Sequence, residues 1–509
     1  MVATVGELLP EAARRFGDKT SLVVGDETFS FVDLEALSNR VANGLVSCGV
    51  LPGDRVTLYG PNCWEWVVAY YAIAKTGAVL NPISSMLTAE EVLYVVKDSG
   101  ARVLVTSVDK GAQLLGLVDG DDLSQVVMWG GEVPVGATSF AAWIDDADPT
   151  FAPVAREPAD LGAVCYTSGT TGHPKGAMQS HRSVVAAATG TVLMAARGPD
   201  DRVLNSLPLA HVYGSCVLNG VMLAGSTLVM VPRFSEEAVF AAIARHRATL
   251  MDGVPTAYYY LLAHPGLDEA DLSSLTRCWV GGQTLPAAKA KEFTARTGCP
   301  IHEVWGMTEL AGAASANPVV GLNKAGTIGL AFPGSSMRVV DIDDPSLVLG
   351  PGERGELMFA GPLVMDGYYG NEAATRASIE PDGWLHSGDI ATMDEDGYFT
   401  IVDRKTDMIL TAGFNVYPAE LERVLCMHPA VALAAVTGVE DEVKGELAKA
   451  YVVLKPGATA TQEALVEHCR MHLAAYKVPR AVQFVDEVPI TASGKIMRRL
   501  LEDYDDGTR

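Results

Sequence analysis

From Phe31 to Val304 the chain alternates helix-length amphipathic stretches with short apolar runs, and this alternation constrains the fold most. Phe31 to Cys48 predicts a helix, Arg55 to Tyr59 a strand, Trp64 to Thr76 a helix and Arg102 to Thr106 a strand. The pattern resumes with a helix over His181 to Ala196, a strand over Val203 to Leu207 and a helix over Val217 to Leu223. Thr227 to Val231, Cys278 to Val280 and Ile301 to Val304 read as strands, separated by helices over Glu236 to Arg247 and Pro286 to Thr297. Such alternation predicts a parallel sheet covered by helices. Several of these strands run into polar or Gly-rich turns, and ligands of open α/β sheets sit at such carboxyl ends.

The texture changes at Lys324. Short strands with Gly and Pro dominate to Val402, as in Met337 to Asp341, Gly355 to Phe359 and Tyr398 to Val402. A compact α/β pattern follows, with helices over Pro418 to Met427 and Thr461 to Ala474 and strands over Val431 to Val436 and Ala450 to Leu454. The predicted class is therefore α/β. A large N-terminal region, 1–402, has helix-covered sheets and a β-rich subdomain at about 324–402. A small C-terminal α/β domain, 407–509, follows.

With 509 residues, two or more domains are expected. A net charge of −24 argues against nucleic acid, whose binding needs a basic face. It also disfavours anionic membrane surfaces. Apolar runs such as Val217 to Val231 are short and interrupted by Gly, so no integral membrane association is expected. Met1 to Arg15 lacks a basic segment before an apolar core, so no signal peptide is expected. Eight scattered cysteines without a Cys-x-x-Cys pair fit reduced thiols and a cytoplasmic protein. A homodimer is compatible with this composition.

Leu161 to Cys165 reads as a buried strand. The stretch behind it, Tyr166-Thr167-Ser168-Gly169-Thr170-Thr171-Gly172-His173-Pro174-Lys175-Gly176, offers hydroxyls, glycines and one cation. Such a loop can wrap phosphate oxygens with amides, hydroxyls and a positive charge. It is not the Walker loop, where Lys directly follows the last Gly. Further on, Leu207-Pro208-Leu209-Ala210-His211 ends a strand, where an imidazole either caps a pocket or is structural. Gly281-Gly282-Gln283 follows another strand and either admits a flat ring or is an ordinary turn. Trp305-Gly306-Met307-Thr308-Glu309 joins an aromatic face, a hydroxyl and a hard carboxylate that suits Mg²⁺.

Together these elements resemble the adenylate-forming enzymes: acyl-CoA synthetases, peptide-synthetase adenylation domains and beetle luciferases. Later elements extend the resemblance: Trp384-Leu385-His386-Ser387-Gly388-Asp389, Asp403-Arg404-Lys405-Thr406-Asp407, Ala412-Gly413-Phe414-Asn415-Val416-Tyr417-Pro418 and Pro489-Ile490-Thr491-Ala492-Ser493-Gly494-Lys495. The resemblance is nearest to the AMP-forming acyl-CoA synthetases. It implies ATP, Mg²⁺ and coenzyme A, with a small-molecule carboxylic acid as substrate.

By that resemblance Thr167, Ser168, Gly169, Thr170, Thr171, Gly172 and Lys175 would cradle phosphate. Gly281, Gly282, Gln283, Trp305, Gly306, Met307 and Thr308 would receive the nucleotide, and Glu309 would hold Mg²⁺. Asp389 would bind both ribose hydroxyls, with Arg404 serving ribose or phosphate. Gly413 would line the pantetheine tunnel, and Lys444 would attract a CoA phosphate where some relatives place Trp. Lys495 would be the catalytic lysine, acting with His211, Thr308 and Glu309. The acid pocket is expected around His211, Val212, Tyr213, Val254, Gln283, Gly306, Ala311 and Gly312. Its largely neutral lining implies an uncharged aryl or short-to-medium aliphatic acid. Residues 403–406 would form a hinge making the C-terminal domain mobile, although Thr406 stands where many relatives have Lys or Asp. An adenylating enzyme using a carrier protein or amine as acceptor is the alternative.

Overall fold

The computed structural model describes residues 2–115, 123–167, 174–411, 414–441, 445–490 and 496–501. Two large sheets build the N-terminal region, each with a parallel centre; one has antiparallel pairs at a single edge and the other at both edges. One orders its main strands as Lys175–Ser180, Leu161–Thr167, Val79–Ile83, Arg55–Tyr59, Val103–Ser107 and Gln125–Trp129. The other runs through Gly312–Ala316, Ile301–Met307, Arg277–Gly281, Leu250–Gly253, Arg202–Asn205, Thr227–Met230 and Thr20–Val24.

Two almost wholly apolar helices link these layers. Trp64–Lys75 lies on strands Arg55–Tyr59 and Val79–Ile83, and Val212–Ala224 lies on strands of the other sheet. A helix apolar all round must be buried. Three of the polar groups on these helices bond across the contact between them. Tyr71 Oη donates to Asn219 Oδ1 at 3.0 Å, and Asn219 Nδ2 donates to Tyr70 Oη at 3.0 Å.

The β-rich segment is a four-stranded antiparallel sheet of Ser336–Val340, Arg354–Ala360, Leu385–Met393 and Phe399–Arg404. Beyond Arg404 a turn leads to a five-stranded sheet whose own core includes Ile409, Val416, Leu421, Val436 and Leu465. Arg498 joins its segment to this body by ion pairs to Glu422 at 2.8 Å and Asp407 at 2.6 Å.

Three details depart from the sequence expectations. The helix expected from Val217 begins at Val212, with His211 as its N-cap. The preceding strand ends at Asn205, so His211 does not end a strand as expected. Lys175–Ser180 and Gly312–Ala316 are strands that composition does not announce, because neither holds a β-branched or aromatic residue. Gly306 explains the second pairing. A Cβ there would stand 1.8 Å from the Gly312 carbonyl oxygen, so only glycine lets the strands close.

Glu303 is buried in strand Ile301–Met307, its Oε1 accepting the Gly326 N–H at 2.6 Å. Burial pushes its carboxyl up to about 8. A carboxyl raised this way favours the folded state below its unfolded pKa, and the advantage drains away as pH climbs to the folded value. Glu303→Gln keeps the acceptor and does not titrate. Its stability gain over the parent should be small near about pH 5 and grow by roughly 1.4 kcal/mol per pH unit toward pH 8. Thermal unfolding across that range measures it, and a constant difference between the proteins would reject this account.

Candidate active site

Near its carboxyl end, strand Ile301–Met307 meets the antiparallel sheet. Trp305 and Asp389, 84 positions apart, are joined there: Trp305 Nε1 donates to Asp389 Oδ2 at 2.8 Å. Both residues are buried, and the Trp305 ring lies tilted against Phe359. Arg404 Nε stands 3.2 Å from Asp389 Oδ1, because Asp389 and Arg404 are register partners on neighbouring strands. Trp305 thus offers an edge N–H as well as the aromatic face expected from sequence. Each carboxylate oxygen has more than one acceptor direction, so Asp389 can still take hydroxyl donors. Trp305→Phe removes the edge donor and keeps an aromatic face. Loss of a hydrogen bond to a charged group should weaken ATP binding by about tenfold. Calorimetric titration checks this; affinity equal to the parent's would deny the N–H a part in positioning Asp389.

A second group forms around Glu309. The Tyr368 hydroxyl donates to Glu309 Oε1 at 2.7 Å, and Lys175 Nζ lies 5.4 Å from the Tyr368 ring centroid. Burial, then the Glu309 charge, raises the Tyr368 phenol above its ordinary value, so it remains the donor. Gln179 Nε2 donates to the Thr308 carbonyl at 2.8 Å, fixing the turn that carries both Thr308 and Glu309. Ala311 closes that turn at φ 55°, a left-handed conformation costly for a residue with a Cβ. A buried carboxylate with one oxygen held by Tyr368 is a hard oxygen donor of the kind that suits a divalent ion. Thr167 ends the strand opposite Lys175, and its hydroxyl donates to the Lys175 carbonyl at 3.5 Å.

The expected acid pocket clusters at the start of helix Val212–Ala224. His211 Nδ1 accepts the Tyr213 N–H at 3.2 Å, so this imidazole caps the helix. Gly214 is required in that first turn, since a Cβ would meet the Pro208 carbonyl oxygen at 2.2 Å. A Cβ on Gly281 would stand 3.2 Å from Tyr213 Cε1, so the Tyr213 ring abuts the Gly281-Gly282 shelf. Gly312 approaches Val212 as closely: its Cβ would meet the Val212 carbonyl oxygen at 2.8 Å. Val254 caps the neighbouring helix Pro255–Ala263, and Met307 ends its strand half-buried. Gln283 Oε1 accepts the backbone N–H of Ile496 at 3.3 Å. Its amide therefore satisfies backbone from the C-terminal region.

Ser168, Gly169, Thr170, Thr171, Gly172, Gly413, Lys444 and Lys495 lie outside the described residues.

The chain matches the AMP-binding enzyme family over residues 9–369 and the AMP-binding enzyme C-terminal domain over residues 420–495. It belongs to the AMP-binding enzyme family. Among solved structures, this AMP-binding enzyme resembles an anthranilate CoA ligase in complex with anthranoyl-AMP. The TM-score is 0.93 at 29% identity, covering 99% of this chain and 97% of that one. ATP-bound MatB from Rhodopseudomonas palustris gives a TM-score of 0.90 at 31% identity, covering 99% and 100%. A feruloyl-CoA synthase from Amycolatopsis sp is 38% identical over 96% of each chain. A long-chain-fatty-acid–CoA ligase from Bacillus subtilis (strain 168) is 34% identical over 98% of this enzyme and 94% of the relative.

Sequence reading of the enzyme missed Tyr368 and Gln179, which reach Glu309 and Thr308 from distant strands. It also missed Arg197 and Asp252, an ion pair of 2.6 Å with both side chains fully buried. No local motif marks these four. Among the described residues no helix is long and apolar enough to cross a membrane.

Proposed function

We propose that this enzyme is an AMP-forming acid–CoA ligase for an uncharged aryl or short-to-medium aliphatic carboxylic acid. Family membership makes it an adenylate-forming enzyme. Relatives named for ferulate, for long-chain fatty acids and for a ring-bearing propanoate span aryl and aliphatic acids. The observation that carries the reading is the bond from Ile496 to Gln283, which brings the residue after Lys495 onto the shelf beside Tyr213.

In the first half-reaction a carboxylate oxygen of the acid attacks the α-phosphorus of ATP. The new C–O–P linkage forms as the bond to pyrophosphate breaks. Lys495 supplies a cation where the carboxylate meets the phosphate, and Lys175 with its loop receives the departing pyrophosphate. Asp389 and Trp305 hold the nucleoside. Glu309 would hold Mg²⁺, whose charge neutralises the phosphate oxygens. In the second half-reaction the thiol of CoA attacks the acyl carbon, loses its proton and expels AMP. A turn of residues 407–509 about 403–406 would exchange Lys495 for Gly413 between the steps.

Pyrophosphate release with and without CoA, over a panel of acids and with mass spectrometry of the products, tests the reading. Acid-dependent pyrophosphate release and an acyl-CoA product are expected. An amide formed with an added amine in place of thioester would overturn the CoA assignment. Malonate as the best substrate would overturn the uncharged-acid assignment.

A further inference from the structure

Strands Val431–Asp441 and Gly445–Leu454 pair antiparallel in the C-terminal sheet, with Ala434 opposite Val452 and Ala435 opposite Tyr451. Side chains alternate between the two faces along a strand, and directly paired residues share a face. Ala434, Val436, Ala450 and Val452 belong to the core that this body builds for itself. Leu433, Ala435 and Tyr451 lie on the opposite face, and they too are buried. A sheet with water on one side alternates apolar and polar residues. These strands are apolar on both faces, so the second face needs a cover.

The cover comes from two directions. Val488 and Leu501, with Val485, Ile490 and Ile496 against them, come from the end of the chain. Among the described residues of this cluster, Tyr259 alone comes from the N-terminal region. It stands on helix Pro255–Ala263, whose cap is Val254 of the expected acid pocket. Its neighbour Tyr258 is fully buried and donates to the Trp279 carbonyl at 2.9 Å, which fastens the helix to the sheet. Tyr259 points about 100° further round the helix, toward the C-terminal body. Burial, then the neighbouring Cys426 and Glu422, raise its phenol above the ordinary value, so the ring meets that body uncharged. Ile490 and Ile496 pair as an antiparallel bridge, and the Met497 N–H donates to the Pro489 carbonyl at 2.8 Å. The segment between these two isoleucines carries Lys495. Tyr259 therefore abuts the cluster on which both ends of the lysine segment rest.

We infer that Tyr259 is a positioning residue for adenylate formation: its ring seats the C-terminal body on helix Pro255–Ala263 and so holds the Lys495 segment in register with the acid pocket. This rests on the acid-ligase reading above. When the body turns about 403–406 for the thioester step, Tyr259 parts from the cluster and has no share in that step.

The test is rapid-quench measurement of each half-reaction in the full chain, using the best acid of the panel and its chemically prepared adenylate. Three variants are compared with the parent. Tyr259→Ser takes the ring out of the cluster, and Tyr259→Phe keeps the ring without its hydroxyl. Tyr259→Leu keeps a smaller apolar side chain and carries the test if the serine variant does not fold. Tyr259→Ser should slow acyl-adenylate formation about tenfold, with KM for ATP and for the acid within about twofold of the parent's, because it thins the population of the seated placement and touches neither ligand. Tyr259→Leu should fall between serine and parent, and Tyr259→Phe should stay close to the parent. Thioester formation from supplied adenylate should run at the parent rate or faster in all three. Parent-like adenylate formation in the folded serine or leucine variant overturns the inference and leaves the ligase reading standing. Equal loss in both half-reactions, or a phenylalanine variant as slow as serine, does the same. No adenylate from the parent with any acid of the panel would overturn both readings.

Discussion

Lys495→Ala is expected to lower acyl-adenylate formation by several orders of magnitude while leaving thioester formation from supplied adenylate near the parent rate. The first half follows from charge. Attack by an anion on a phosphate already bearing negative oxygens needs a positioned cation, and loss of a principal transition-state stabiliser is among the largest single effects in catalysis. The second half follows from the chain's build. Ile496, next to Lys495, is bonded to Gln283, and Arg498 is clamped to Glu422 and Asp407. The segment is thus fastened to the C-terminal body and would leave the shelf whenever that body turns. Gly413→Leu should give the mirror image, because a side chain in the pantetheine path blocks the thiol and leaves ATP and acid contacts alone. Rapid-quench measurement of each half-reaction separates the two. Equal loss in both half-reactions for both variants would mean one fixed site, and the exchange of Lys495 for Gly413 would be wrong.

What was legible in the sequence was local. The alternation of apolar runs and amphipathic stretches gave the parallel centres of both large sheets, since a strand buried on both faces shows itself by composition. Trp305, Glu309 and Asp389 announced themselves within short strings, and those strings lead to the family. Where side chains shrink, the signal fails. Strands Lys175–Ser180 and Gly312–Ala316 contain no β-branched residue, and their positions are set by pairing. The start of helix Val212–Ala224 was hidden because its cap is an imidazole and its first turn holds Gly214. Partnerships across the fold were illegible for a different reason. Tyr368 finds Glu309 across 59 positions and Arg197 finds Asp252 across 55, with register and topology alone deciding that they meet. The charged pair behind Tyr213 likewise has no local sequence signature.

Asp389→Ala should weaken ATP and AMP together, by roughly thirty- to several-hundredfold, corresponding to roughly 2–4 kcal/mol. In the parent, Asp389 is buried, accepts the Trp305 N–H on one oxygen and faces Arg404 with the other. Its remaining acceptor directions suit a vicinal diol, because one carboxylate can take two hydroxyl donors. Alanine removes those acceptors. It also leaves the indole N–H of Trp305 buried without its partner and frees Arg404 to move. Both losses fall on the nucleoside end of the ligand, so the chain of phosphates is irrelevant to them. The ratio of ATP to AMP affinity should accordingly stay close to the parent's. Asp389→Asn offers a graded comparison: it retains one acceptor oxygen but turns a donor toward Trp305 or Arg404, and should fall between parent and alanine. Thermal unfolding of each variant without nucleotide separates lost folding from lost binding. Titration with ATP, AMP and their 2′-deoxy and 3′-deoxy forms then reads the contact itself. In the parent each deoxy form should bind more weakly, and in Asp389→Ala that difference should vanish. Parent-like affinity of Asp389→Ala for both ATP and AMP would remove Asp389 from the ribose site and leave its bonds to Trp305 and Arg404 as structure alone.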